Sequence, residues 1–329
     1  MNANAPVHRT PTDVPPMHLF DPHVMLNQWV DSFKGLDPVH CAVVHPCDVE
    51  SLRGAVEAGH RGLIVPRLVG PESRIRAMAD VAGIDLRGLV IDAVPHSHAA
   101  AARGAELAAA GQVHVLMKGS LHTDEMMHAV IGTPALRTKR RLSHVFRFNI
   151  PTYPKPLLLT DAAININPSL DEKVDIVQNA IDLAHFLGVS HPKVAVLSAV
   201  ETVTPRISST LDAAALCKMA QRGQITGGII DGPLAFDNAI SAEAARIKGI
   251  ESEVPGDADI LVVPDLEAGN MLAKLLEYLA GAASCGVVMG ARVPIALTSR
   301  SDGAESRMAS AALAALVARG SHPELARKA

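Results

Sequence analysis

Aromatic side chains make up only 3% of this 329-residue chain, so its core must be built from Ala, Val, Leu and Ile rather than from ring stacking. Positive charge is not in excess either: 30 Lys and Arg stand against 34 Asp and Glu, for a net charge of -4. With the basic residues scattered, no footprint for a phosphodiester backbone exists, and nucleic acid is excluded as a partner. The four cysteines, Cys41, Cys47, Cys217 and Cys285, form no CxxC and have no His-rich partner pattern. That argues against a disulfide framework and a zinc site, and predicts reduced thiols in a cytoplasmic protein. No apolar run approaches the roughly 20 residues needed to cross a bilayer, so no membrane association is expected. The opening MNANAPVHRTPTDVPP lacks the basic and apolar regions of a secretory signal, and a flexible tail is expected over residues 1–17.

The usual one-line chemical signatures are missing too. No GxGxxG follows the first strand, no GxxxxGK[ST] occurs, and no GxSxG elbow is present, which removes the dinucleotide fingerprint, the Walker loop and the hydrolase nucleophile. His122, His128 and His144 lie 6 and 16 residues apart, unlike a metal-binding pair, so no metal is expected.

What is present is rhythm. HCAVVH, DVESLRGAVEAGH, GLIVPRLVG, PESRIRAMADVAG, LRGLVIDAV, SHAAAARGAELAAAG and VHVLMKG alternate apolar runs with helical patterns, which predicts a parallel sheet with helices on its faces. A second series runs from KPLLLTDAA through VDIVQNAIDLAHFLG and KVAVLSAV to ADILVVPDL, NMLAKLLEYLAG and CGVVMG. Between them, residues 133–153 break the rhythm with charge and proline and are expected to be a crossover. By pattern alone the last run, VPIALTSR, is open to either unit; if it returns to the first sheet, the first α/β domain is 18–140 with 292–329 and the second, 141–291, is inserted in it.

Several apolar runs end in polar residues. VLMKGS delivers Lys118 and Ser120, LLLTDAA delivers Asp161, LVVPDLEAGN delivers Gly269 and Asn270, and PIALTSR delivers Thr298, Ser299 and Arg300. In open α/β sheets ligands sit outside the C-terminal ends of strands, and small residues there let an anion approach backbone N–H groups. Any one such tip is as readily a helix cap; the signal is their number.

Taken in order, MKGSLHT, LRTKRRLSHVF, TDAAININPSLDEK, GGIIDGPLAFDNAIS, DILVVPDLEAGN and PIALTSRSDGAES resemble the phosphate acetyltransferase and phosphate butyryltransferase family over roughly residues 20–320. The resemblance implies two three-layer α/β/α domains with a cleft between them, the second inserted in the first, isocitrate/isopropylmalate dehydrogenase-like in fold, usually as a homodimer. It further implies reversible transfer of an acyl group between coenzyme A, a substrate rather than a bound cofactor, and inorganic phosphate. Where the acetyl branch has an arginine this chain has His128, and where it has an aspartate this chain has Ser306. The wording LTSRSDGAE lies closer to the butyryl branch.

Such a displacement needs a base for the thiol, donors for the carbonyl oxygen and cations for the phosphate. A thiol of pKa about 8.5 is mostly protonated at neutral pH, so a positioned carboxylate helps by roughly 10²- to 10⁴-fold. Ser299 is the oxyanion donor in this reading, with Arg300 and Arg137 as bidentate phosphate ligands and Lys118 and Ser120 beside them. Thr298, Gly269, Asn270, Asp161 and His128 are expected to line the cleft. The base is Asp302 or Glu305; their D-x-x-E spacing is also that of a capping box, and Asp302 is favoured. The alternative function is a metal-dependent decarboxylating dehydrogenase, for which Asp231 and Asp237 are poorly spaced.

Overall fold

The computed structural model describes residues 20–322 and Leu325; the expected tail at 1–17 lies outside them. In chain order the first elements are α1 (Pro22–Asp31), β1 (Val39–Val44), α2 (Val49–His60), β2 (Ile64–Gly70), α3 (Glu72–Ala82), β3 (Val90–Ala93), α4 (Ser97–Ala109), β4 (Val115–Lys118) and α5 (Thr123–Gly132). Then follow β5 (Ser143–Asn149), β6 (Leu157–Thr160), α6 (Leu170–Phe186), β7 (Lys193–Leu197), α7 (Ser208–Gln221), β8 (Ile229–Leu234), α8 (Phe236–Ile240) and α9 (Ala242–Ile247). The chain closes with β9 (Ile260–Val262), α10 (Leu266–Tyr278), β10 (Ala283–Met289), β11 (Ile295–Ala296) and α11 (Ala304–Ser321). No helix among the described residues is long and apolar enough to cross a membrane.

All the strands join one 11-stranded sheet, in the order β3-β2-β1-β4-β11-β10-β5-β6-β9-β7-β8. The expectation of purely parallel pairing needs correction. β10 runs antiparallel to both β11 and β5, and β5 antiparallel to β6. The flanking strands β1–β4 with β11, and β6–β9, are parallel among themselves. The two flanks therefore run in opposite directions, and their C-terminal tips lie at opposite ends of the sheet.

The stretch 133–153, expected as a crossover, contains β5, and all seven of its residues are buried. Charge and amide groups in SHVFRFN disguise a core strand: His144, Arg147 and Asn149 are polar yet fully inside. One consequence is a diagonal contact across the sheet. The His144 ring crosses the neighbouring β10 strand at Gly286, and its Nε2 lies 3.1 Å from the carbonyl oxygen of Leu297 at the end of β11. A Cβ at Gly286 would collide with this ring and lie 2.9 Å from the Leu297 oxygen. Only glycine leaves room for the imidazole.

Gly286→Ala should therefore destabilise the protein by about 1–3 kcal/mol, the usual cost of overpacking. Gly132→Ala, at a helix end where a new Cβ meets nothing within 4 Å, should stabilise by about 0.4–1 kcal/mol. Denaturant unfolding of the two variants checks the pair; equal stabilities would remove the packing argument.

Candidate active site

The tip of β11 lies beside that of β4, because Ile295 pairs with Leu116 and Ala296 with Met117. β4 in turn lies beside β1, with Val44 opposite Lys118. Three parallel strands thus deliver His45, Lys118 and the 298–302 segment to one end of the sheet. Thr298 is buried, Ser299 half-buried and Arg300 exposed, and the Arg300 side chain has no ion pair among the described residues.

The segment is held from behind by Arg307, one of the largest fully buried side chains. Its Nε donates to the Asp302 carbonyl at 3.0 Å, and its Nη2 to the Ser299 and Arg300 carbonyls at 3.1 and 3.4 Å. Asp302 turns back into the tip, where its Oδ2 accepts the Ser299 N–H at 2.8 Å and its Oδ1 lies 3.7 Å from Lys274 Nζ on α10. The capping-box reading is corrected here. Gly303 is the N-cap of α11, and the Ala304 N–H is taken by Glu50 at 2.8 Å. Glu305 instead faces α1, pairing with His23 and Asn27. Asp302, not Glu305, shares a cleft of about 150 Å³ with Glu277, Ser284 and Ser306.

Electrostatics sharpen the contrast. Burial, reinforced by the nearby Glu277 carboxylate, raises the Asp302 pKa; Lys274, the Ser299 N–H and Arg307 oppose the shift without cancelling it. Lys118 is pushed the other way, down to about 8, by burial and then by the like charges of Arg307 and Arg300.

The other expected residues divide. Ser120 hydrogen-bonds His45, through the backbone oxygen at 2.9 Å and Nδ1 at 3.0 Å, so it stabilises the turn after β1. His45 has φ of +55°, rare for a residue with a side chain. Asp161 is buried and accepts from the N–H groups of Ala163, Ile164 and Asn165, which makes it a turn former at the opposite end of the sheet. Gly269 allows α10 to approach the backbone there, its notional Cβ lying 2.9 Å from the Asp161 oxygen. Asn270 is exposed one turn before Lys274, and His128 is exposed on α5. Arg137 follows α5, which leads away from the Lys118 tip. Its Nε donates to Ile131 at 2.6 Å, and it lines a different pocket with Arg140, Arg141 and Gly290. The structure does not bring Arg137 to Arg300.

Reasoning from sequence missed Arg307, His144 and Lys274. The i+5 offset of Arg307 from Asp302 and the glycine facing His144 were signals available only once their partners were known.

Residues 91–315 match the family model described as "Phosphate acetyl/butaryl transferase". The chain belongs to this family. It is 60% identical over 282 residues to the phosphate acetyltransferase of Rhizobium meliloti, covering 85% of this chain and 89% of that one. It is 40% identical over 293 residues to the phosphate butyryltransferase of Clostridium acetobutylicum, covering 89% and 97%. Among solved structures, a branched-chain phosphotransacylase from Enterococcus faecalis V583 superposes with a TM-score of 0.74 at 30% identity, over 85% of this chain and 99% of that one. Family membership overturns the dehydrogenase alternative. Asp237 is engaged by Lys248, and among the described residues no group of three or more His, Cys, Asp or Glu is placed to hold a metal ion.

The low Lys118 pKa carries a sign. Below pH 8 its ammonium is charged in both the folded and the unfolded chain, and burial costs the fold in full. The cost is relieved as pH rises from about 8 to the ordinary lysine value of 10.5, about 3 kcal/mol in all at 1.36 kcal/mol per unit. Lys118→Met should therefore be more stable than the parent at pH 7, with the gap closing towards pH 10. Parallel unfolding curves at the two pH values would refute the shift.

Proposed function

We propose that this protein transfers a short acyl group reversibly between coenzyme A and inorganic phosphate, by direct attack of the thiol on acyl phosphate. The observation that carries this reading is the tip of β11, where the buried Asp302 carboxylate accepts the Ser299 N–H and where Lys118 lies close enough to feel the charges of Arg300 and Asp302. Asp302 takes the thiol proton as the sulfur bonds to the carbonyl carbon. The electron pair moves onto the carbonyl oxygen, where the Ser299 hydroxyl donates. Collapse breaks the bond to the bridging oxygen, and phosphate leaves onto Arg300 and Lys118. A base with a raised pKa suits a thiol better than an ordinary aspartate, because proton transfer is less uphill. No bound cofactor enters the scheme. Acetyl is the first acyl group to test, given the 60% identity to a phosphate acetyltransferase, and butyryl the second.

In the same reading, two α/β units, split near residues 140 and 291, face each other across β10 and form the cleft, with Lys274 and Glu277 on its far wall, whereas Asn270 donates to the Ala162 carbonyl at the other end of the sheet. The protein works as a homodimer. Its partner surface includes α10, where Met271, Leu275, Tyr278 and Leu279 form an exposed apolar stripe at helical spacing. Four free cysteines suit a reducing cytoplasm.

Release of CoA from acetyl-CoA should require phosphate or arsenate, and Asp302→Asn should lower turnover at least about a hundredfold. Its stability should fall only modestly, because an amide oxygen still accepts the Ser299 N–H. Glu305→Gln should change turnover little; a dead Glu305→Gln with an active Asp302→Asn would reverse the assignment.

Arg300→Lys keeps the charge but loses the bidentate fork. It should weaken phosphate use by about 1–3 kcal/mol, whereas Arg137→Lys should leave the phosphate KM unchanged. A phosphate KM raised only by Arg137→Lys would place the anion at the other end of the sheet.

A further inference from the structure

Arg147 of β5 is 4% exposed and points to the face of the sheet opposite Phe146 and Phe148, with which it alternates. It makes no salt bridge to any carboxylate among the described residues. Its guanidinium carbon lies 4.4 Å from the centre of the Trp29 ring, and its Nη1 is buried without a hydrogen-bond partner. A buried charge with no counter-ion is costly. Cation–π contact with Trp29, worth about 0.5–2 kcal/mol, and a contact with the Cys285 thiol on the neighbouring β10 strand do not offset several kcal/mol of desolvation.

Arg147 lines a cavity of about 240 Å³. At one side Lys155 bridges Asp257 and Asp259, both at 2.7 Å, and Lys193 holds Asp257 at 2.6 Å. Among the charged groups that line the cavity, Lys155 is met by Asp259, which leaves the Arg147 guanidinium without a carboxylate of its own. The remaining walls are apolar, formed by Trp29, Leu158, Leu187 and Val189 among others. The unmet demand is for one negative charge and a short hydrocarbon body.

We propose that this cavity is a second binding site, separate from the β11 tip, for a monocarboxylate with a short aliphatic tail. The carboxylate meets the Arg147 guanidinium, and the tail lies along Leu158, Leu187 and Val189. Volume sets the scale, because a chain of about six carbons fits where a nucleotide does not.

Trp29 is the only tryptophan of the chain, so its fluorescence reports on this cavity alone. Hexanoate titrated into the intact protein should change that fluorescence saturably, acetate should do so only at much higher concentration, and hexylamine should not. Arg147→Met should weaken hexanoate at least about tenfold, the loss of one charge-assisted hydrogen bond. Val189→Phe, which keeps the arginine and fills the cavity, should abolish the response, so the test survives if the arginine variant fails to fold. No change with hexanoate in the parent protein would overturn the proposal. So would an equal response to hexylamine, which would show an apolar hollow without anion recognition. Acetate acting as strongly as hexanoate would show a bare anion site and also overturn it.

Discussion

The buried guanidinium of Arg307 is the interaction on which the rest of the site depends. A charge taken out of water is tolerated where hydrogen bonds replace those it lost, and here three backbone carbonyls of residues 299–302 take the Nε and Nη2 groups, with Nη1 left buried and unpaired among the described residues. The exchange works in both directions, for those carbonyls sit past the end of a strand, where no ladder partner satisfies them. The helix that carries Arg307 must also lie close. Gly54 on α2 makes this possible, since a Cβ there would stand 2.7 Å from the Arg307 Cβ. From β5, His144 holds the carbonyl of Leu297. The tip is thereby fixed by groups from two separate elements, and Ser299 and Asp302 gain a defined geometry without belonging to a regular element themselves.

Burial then sets the chemistry. The same removal from water raises Asp302 and lowers Lys118, so an acid and a base each move towards neutrality within one site. Arg300 stays exposed at the rim, open to an arriving anion. A phosphate entering the site supplies negative charge next to Lys118 and so favours its ammonium form. Binding the anion therefore offsets the cost that burial imposes on that charge.

Much of this was legible in the sequence. The alternation of apolar runs and helical patterns marked most of the elements, and PIALTSR marked the decisive strand end, because an apolar run that stops in Thr, Ser and Arg has few structural reasons to do so. What was not legible depended on long-range pairing. β5 looks like a linker because charge and proline break the apolar rhythm over 133–153, while its polar His144 and Arg147 are in fact buried. Arg137 groups with Arg300 in sequence through the bidentate guanidinium that each carries, although α5 carries it to the far end of the sheet. Glu305 and Asp302 have capping-box spacing, yet a carboxylate from α2, Glu50, takes the N–H that the box would have used. Local patterns describe what a segment can do alone, and here a distant side chain was the better partner.

The reversed strands in the middle of the sheet account for how both flanks serve one site. Were every strand parallel, α10 would begin beside the 298–302 tip and run away from it. Because β10 and β5 reverse the direction, β9 ends at the far end, with Gly269 packed against Asp161 and Ala162. The helix must then run back along the sheet, over roughly 1.5 Å per residue. By Lys274 and Glu277 it has reached the opposite end, where one group stands 3.7 Å from Asp302 and the other accepts from Ser284 at the start of β10. The two α10 residues act in opposite senses on the Asp302 carboxyl, Glu277 raising its pKa and Lys274 lowering it. The flank that does not carry the β11 tip therefore sets the proton affinity of the group that the tip presents. Any movement of α10 relative to β11 would alter that affinity without displacing Ser299 or Asp302.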